Sequence, residues 1–232
     1  MQVHAIGDLH LSLGAPKAMD VFGPHWTNHF ARIRADWEDR VGPDDIVLVP
    51  GDISWATRLE DAKVDLDAIG ALPGRKVLLR GNHDYWWSSP AKVRSVLTDG
   101  TEIIQNNALD AGSMIICGAR GWTFPMGKPL CDDDTKIFER EKIRLRLSLD
   151  EARRLADGRP LLVMMHFPPL FENWPRTDFT DLLEEYSVRD VVFGHLHGEI
   201  LQQVNLTDFV SRGIRYNLVS ADYLDFHLRT IC

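Results

Sequence analysis

Apolar and polar positions along this chain fall into two periods. Short runs dominated by β-branched or long aliphatic residues occur at Val3 to Ile6, Ile46 to Val49, Val77 to Leu79, Leu161 to Met165 and Val191 to Phe193. They show almost no internal alternation, which predicts strands buried on both faces, as in a parallel sheet. Between them the period lengthens to that of a helix. Trp26, Phe30, Ile33, Trp37 and Val41 form one apolar stripe, and Leu59, Ala62, Leu66 and Ile69 form another, so both sets predict helices with a single inward face. Ser89-Pro90 reads as the cap and first turn of a short helix. Thr135 to Asp157 reads as a longer one, with Leu145, Leu149, Ala152 and Ala156 inward and one of Asp132, Asp133 or Asp134 as its N-cap. Glu102 to Asn106 and Ser113 to Cys117, joined through Asp110-Ala111-Gly112, predict a hairpin. Strands alternating with helices place the chain in the α/β class.

The residues that follow the apolar runs carry the chemistry. Asp8 and His10, Asp52, Asn82 with His83 and Asp84, His166, and His195 with His197 each stand just past a run, beside glycines at positions 7, 51, 81 and 194. Strand alternation would put Asp8 and His10 on one side, and His195 and His197 likewise. Carboxyl ends of strands are where open α/β sheets bind ligands. With His83 set aside, two aspartates, one asparagine and four histidines are too many for one tetrahedral zinc and include no thiolate. Such a set suits two divalent ions that share a carboxylate.

In this order, Asp8-x-His10, Gly51-Asp52, Gly81-Asn82-His83-Asp84, His166 and Gly194-His195-x-His197 resemble the calcineurin-like metallophosphoesterase superfamily, of the bacterial phosphohydrolase type. The resemblance implies a four-layer αββα sandwich of two mixed β-sheets flanked by helices, forming a single catalytic domain over residues 1–232. It also implies that Asp8, His10 and His197 hold the first metal and Asn82, His166 and His195 the second, with Asp52 bridging both. His83 is then no ligand; it contacts a phosphoryl oxygen and gives a proton to the leaving group. Two ions some ~3.5 to 4 Å apart would supply a hydroxide and clamp an in-line displacement. A general-acid imidazole with a pKa near ~6.5 would add roughly 10² to 10⁴ in rate. Mn²⁺ is the expected metal, and Fe or Zn²⁺ is compatible with the donors.

The chain departs from two branches of that superfamily. Protein serine/threonine phosphatases carry Asp-Arg three and four residues beyond the bridging aspartate, whereas Trp55 and Ala56 stand here. The group that would orient His83 is therefore missing, as is an arginine that would bind a phosphate dianion. Arg80 and Arg120 are candidate replacements; each could equally cap a strand end or pair with an acid. Lipid A precursor pyrophosphatases usually show Arg where His83 stands. The reading is thus a dinuclear phosphohydrolase capable of diester cleavage, with a phosphomonoesterase acting on a small molecule or nucleotide as the second choice. A non-catalytic interaction module is the reading from another class, and the full ligand set argues against it.

Composition changes this picture only at the margins. The 232 residues, 44% hydrophobic and 26% charged, suit one sizeable core. A net charge of −8 disfavours broad nucleic-acid binding. Three widely spaced cysteines and the lack of a leader or long apolar span lead us to expect a cytoplasmic protein without a membrane anchor. The partner expected is a small phosphate ester. Aromatic residues at Tyr85-Trp86-Trp87, Trp122, Phe124 and Phe167 allow a nucleotide-like organic group, with loop anchoring as the alternative. His25 and His29 are spaced like a zinc pair, but Trp26 stands where the metalloprotease motif has its glutamate, so surface histidines are expected. His4 and His227 are read as packing or surface residues.

Overall fold

All five apolar runs become strands. The computed structural model describes residues 1–14, 17, 19–203, 206 and 209–232. Its strands are β1 (Val3–Ala5), β2 (Ile46–Pro50), β3 (Arg75–Leu79), β4 (Thr101–Ile104), β5 (Ala108–Asp110), β6 (Ile115–Gly118), β7 (Leu161–Met164), β8 (Asp190–Phe193), β9 (Phe209–Ser211), β10 (Ile214–Leu218) and β11 (Arg229–Thr230). The helices are α1 (His29–Arg40), α2 (Leu59–Gly70), α3 (Pro90–Arg94), α4 (Asp132–Ala156) and α5 (Asp178–Glu185). Together they make two mixed β-sheets flanked by helices, in two compact units, Met1–Ile103 with Val219–Cys232 and Ile104–Leu218.

In the first unit the sheet order is β11-β1-β2-β3-β4. Strands β1, β2 and β3 run parallel, with Ala5 opposite Leu48 and Leu48 opposite Val77, and β11 closes the edge antiparallel to β1. The helical stripes pack where their periodicity predicts. Ile33 and Trp37 of α1 and Ala62, Leu66 and Ile69 of α2 are buried in one core with Val47, Val49 and Leu78. Trp26 is buried too, one turn ahead of α1 in a 3₁₀ segment. Ser89 caps α3, accepting from the Lys92 amide at 3.5 Å.

In the second unit the order is β5-β6-β7-β8-β10-β9, parallel from β6 through β10 and antiparallel at both edges. Here the expected hairpin is corrected. Its second strand is β6, but the partner is β5, whereas the Glu102 segment forms β4 of the other sheet. The break lies at Asn106, which takes a left-handed φ of 60°, while the Asn107 side chain accepts from the Gln105 amide at 2.6 Å. An Asn-Asn pair stops a strand because its short side chains compete for backbone donors and tolerate positive φ. The cap of α4 is also corrected. Cys131, not an aspartate, is the N-cap, its sulfur accepting from the Asp134 amide. The three aspartates instead form the first turn, where their charge opposes the positive end of the helix dipole.

Candidate metal centre

In the first unit, two loops carry the ligands, and backbone bonds join them beyond the ends of β1 and β2. The Asp8 amide donates to Gly51 O at 2.9 Å, His10 to Asp52 O at 2.9 Å, Leu11 to Ile53 O at 2.9 Å and Trp55 to Leu11 O at 2.9 Å. Asp8 and His10 do not lie in a strand as alternation would have it. They follow it, with φ of 57° and 46°, and Leu9 between them is buried. Asp52 takes φ 51°. Left-handed backbone is uncommon for residues other than glycine and costs roughly 1–3 kcal/mol apiece, and it clusters at functional sites. The result is a tight group: donor atoms of Asp8 and His10, and of Asp8 and Asp52, lie within 4.8 Å of each other. His10 Nε2 is 3.9 Å from Asp52 Oδ2. Asp8, His10 and Asp52 are all buried.

The turn after β3 is drawn onto the same carboxylate. The His83 amide donates to Asp52 Oδ1 at 2.8 Å, and a Cβ at residue 81 would overlap the Asp52 side chain and amide, so glycine is required there for close approach. Asn82 and His83 are half-buried. Asp84, quoted in the motif without a role, ties this turn to the loop after β2. The amides of Ile53 and Ser54 donate to its Oδ1 at 2.9 and 3.2 Å, the Trp86 indole at 3.0 Å, and the Gly81 amide donates to Oδ2 at 2.7 Å. Burial, with the Asp52 charge adding to it, pushes the Asp84 carboxyl up to about 6. A second buried carboxylate, Asp65 of α2, accepts from the Ser54 hydroxyl and from the Leu13 amide; burial raises its pKa too. Asp84 stood in the motif after β3 with no role assigned, and the only signal for Asp65 in sequence was an acid among core positions.

The second unit supplies imidazoles. His166 and Phe167 both donate backbone N–H to Arg120 O at 3.0 Å, and the Gly194 amide donates to His166 O at 3.1 Å. This brings His195 Nδ1 to 3.3 Å from His166 Nε2. The Phe167 ring lies 4.1 Å from that of His195, which takes φ 72°. His166 is buried, and His195 and His197 are half-buried. Candidate metal ligands among the described residues thus include Asp8, His10 and Asp52 in the first unit and His166 and His197 in the second. Carboxylates with imidazoles and no thiolate form a donor set that fits divalent ions of the Mn, Fe or Zn type.

Residues set aside in the sequence also find their places. Arg120 lies 3.5 Å from the fully buried Glu141 and 4.7 Å from the Trp122 ring, so its charge is engaged inside the second unit. His25 is exposed, as expected. His29 is not a surface histidine: it is half-buried, its ring nitrogens 3.0 Å from Leu9 O and 3.1 Å from Trp26 O. His4 is buried, with Nδ1 3.1 Å from Thr230 Oγ1, and His227 is exposed. Trp86 and Trp87 are buried anchors, whereas Tyr85 is 60% exposed.

Residues 1–199 match the calcineurin-like phosphoesterase family. The chain belongs to that family. The family is one of phosphoesterases, and it implies divalent ions at a donor set of this kind. The gene 66 protein of Mycobacterium phage D29 is 38% identical over 81 residues, and the match spans 33% of this chain and 37% of that relative. Solved structures with this fold include the phosphopantetheinyl hydrolase PptH from Mycobacterium tuberculosis, with TM-score 0.63 at 17% identity over 99% of this chain and 95% of that one. TT1561 of Thermus thermophilus is similar at TM-score 0.58 and 13% identity, covering 99% of this chain and 97% of that one. No helix among the described residues is long and apolar enough to cross a membrane.

Proposed function

We propose that this phosphoesterase is dinuclear and cleaves phosphodiesters, its two units acting as one catalytic domain over residues 1–232. In this reading Asp8, His10 and His197 hold one ion, Asn82, His166 and His195 hold the other, and Asp52 bridges them. The observation that carries it is the buried group of Asp8, His10 and Asp52 on left-handed backbone, with the His83 amide tied to the Asp52 carboxylate. The bound ions supply an activated water and positive charge at the phosphoryl oxygens. The protein's own groups do the rest. His83 stands one residue past Asn82, beside the ligands, and gives its proton to the departing oxygen. Asp84 and the backbone bonds from Asp8 to Gly51 and from His10 to Asp52 hold that histidine's turn in register. Mn²⁺ is the first choice of metal, with Fe or Zn²⁺ next.

Trp55 and Ala56 support the diester preference, since neither offers the guanidinium a phosphate dianion calls for. With Arg120 engaged by Glu141, Arg80 at the end of β3 is the better candidate for any such clamp. The substrate is a small phosphate ester, and exposed Tyr85 beside His83 suits an organic, nucleotide-like group. A cytoplasmic location belongs to the same reading, supported by three cysteines that form no disulfide.

The test is metal content together with turnover of bis(p-nitrophenyl) phosphate and p-nitrophenyl phosphate, with Mn²⁺, Zn²⁺ and Mg²⁺ added separately. Catalytic efficiency on the diester should equal or exceed that on the monoester. A strong monoester preference would establish a phosphomonoesterase instead, and replacing Arg80 should then abolish that preference. Bound metal with no turnover of either would point to an interaction module.

A further inference from the structure

An imidazole that acts as a general acid must be aimed, and its backbone does not aim it. The amide of His83 is anchored to Asp52, but that bond leaves two side-chain torsions for the ring's own surroundings to set. In the phosphatase branch that the sequence departs from, an aspartate would hold it. Here residue 55 is a tryptophan, and the Trp55 ring packs against His83 with centroids 4.7 Å apart at 51°.

Trp55 is itself well fixed. Its amide donates to Leu11 O at 2.9 Å, its indole Nε1–H donates to Met19 Sδ at 3.0 Å, and its ring stacks on His10 at 4.7 Å and 19°. The Phe22 ring lies parallel at 6.5 Å and 11°, and the Lys17 ammonium sits 3.1 Å from the ring centroid. The indole is therefore engaged by protein groups, which makes it a wedge rather than a platform for substrate. Two further rings lie near His83: that of His10 at 5.8 Å and 58°, and that of Tyr85, edge-on at 6.1 Å and 84°. Tyr85 is too exposed to fix a ring.

We infer that Trp55 is a positioning residue, which sets the orientation of the His83 ring by aromatic packing in the place where relatives use a carboxylate. The inference rests on the proposed role of His83 as general acid. Packing holds the ring plane through contact alone, without a hydrogen bond from residue 55 to the imidazole. It also couples His83 to His10 through one rigid side chain.

The experiment compares Trp55→Ala, Trp55→Leu, Trp55→Phe, His83→Ala and the Trp55→Ala/His83→Ala double variant, all as the Mn²⁺-loaded protein. Each is assayed for bound metal and for kcat on two phosphodiesters that share one ester group and differ in the other, with release of methanol measured from one and of nitrophenol from the other. The departing nitrophenolate barely requires a proton, whereas methoxide does. Trp55→Ala and Trp55→Leu should keep their metal and lose about tenfold to a hundredfold more rate on the methyl ester than on the nitrophenyl ester. Trp55→Phe should stay within about threefold of wild type on both, and in the His83→Ala background Trp55→Ala should cost less than about twofold more. Equal losses on both esters, a fully additive double variant, or loss of metal would overturn the inference; the last would make Trp55 a support for His10. The Leu variant keeps the test open if Ala does not fold. If His83→Ala itself shows no leaving-group difference, the general-acid reading falls and takes this one with it. If His83→Ala shows it and Trp55→Leu does not, only the role of Trp55 falls.

Discussion

The ligands of the first unit and those of the second are held by different physics. Asp8, His10 and Asp52 sit on left-handed backbone, laced by amide-to-carbonyl bonds and braced behind by two further buried carboxylates, Asp84 and Asp65. His166 and His195 are held with more help from rings: Arg120 O accepts two amides, His166 O accepts the Gly194 amide, His195 shares the left-handed backbone, and the Phe167 ring packs on His195 at 4.1 Å. The first group carries negative charge that has to be offset in a buried place. The second is made of imidazoles and brings no carboxylate. The contrast teaches where the protein stores its electrostatic cost, namely on the side that also holds His83.

Removing the charge at the centre of the first group should have the largest effect. Asp52 touches His10 at 3.9 Å and accepts from the His83 amide, so Asp52→Ala should abolish turnover and lower bound metal, while His166→Ala should lose metal but retain the fold and its stability more fully. Elemental analysis beside a denaturation curve checks both. Two tightly bound metals with full activity in Asp52→Ala would refute the bridging role.

Next comes the carboxylate behind it. Asp84 has a pKa raised from 3.8 to about 6, so its ionised form is disfavoured in the folded state. In chelated protein, this group favours folding at low pH relative to neutral pH. Stability should fall as pH rises through the interval from about 4 to about 6, by about 3 kcal/mol, and level off above it. Asp84→Asn cannot ionise and should show a flatter curve over that interval. Urea midpoints for the two proteins across it measure the difference, and parallel curves would sink the idea.

The smallest effect expected is at His29, which touches the first group through backbone carbonyls, those of Leu9 and His10. His29→Ala leaves two half-buried carbonyls short of a partner and should cost about 1–3 kcal/mol of stability with little change in kcat, whereas His25→Ala should change neither. Equal behaviour of the two would return His29 to the surface role expected from Trp26 standing in place of the motif's glutamate.

Much of this site is legible in the amino-acid sequence. Five apolar runs had to be buried strands, and only a few side chains can bind hard divalent ions, so a donor after each run pointed to strand ends feeding one chemistry. The stripes through Ile33, Trp37, Leu66 and Ile69 read correctly for the same reason, since periodicity reports which face of one element meets the core. Other features answered to no period. The segment from Glu102 to Asp110 is divided between two sheets by a turn at Asn106, and a sulfur rather than a carboxylate caps α4. Asp8 and His10 come together through left-handed turns, not strand alternation. Asp84 and Asp65 owe their roles to Ile53 and Ser54, and Glu141 owes its burial to arginines that include Arg120. Sequence alone determined which residues had to be buried and which could bind metal, because burial period and donor chemistry are properties of single elements and single side chains. Tertiary structure decided which carboxylates brace the site and what packs on His83, because those partners lie as many as 52 residues apart and only the fold sets their distance.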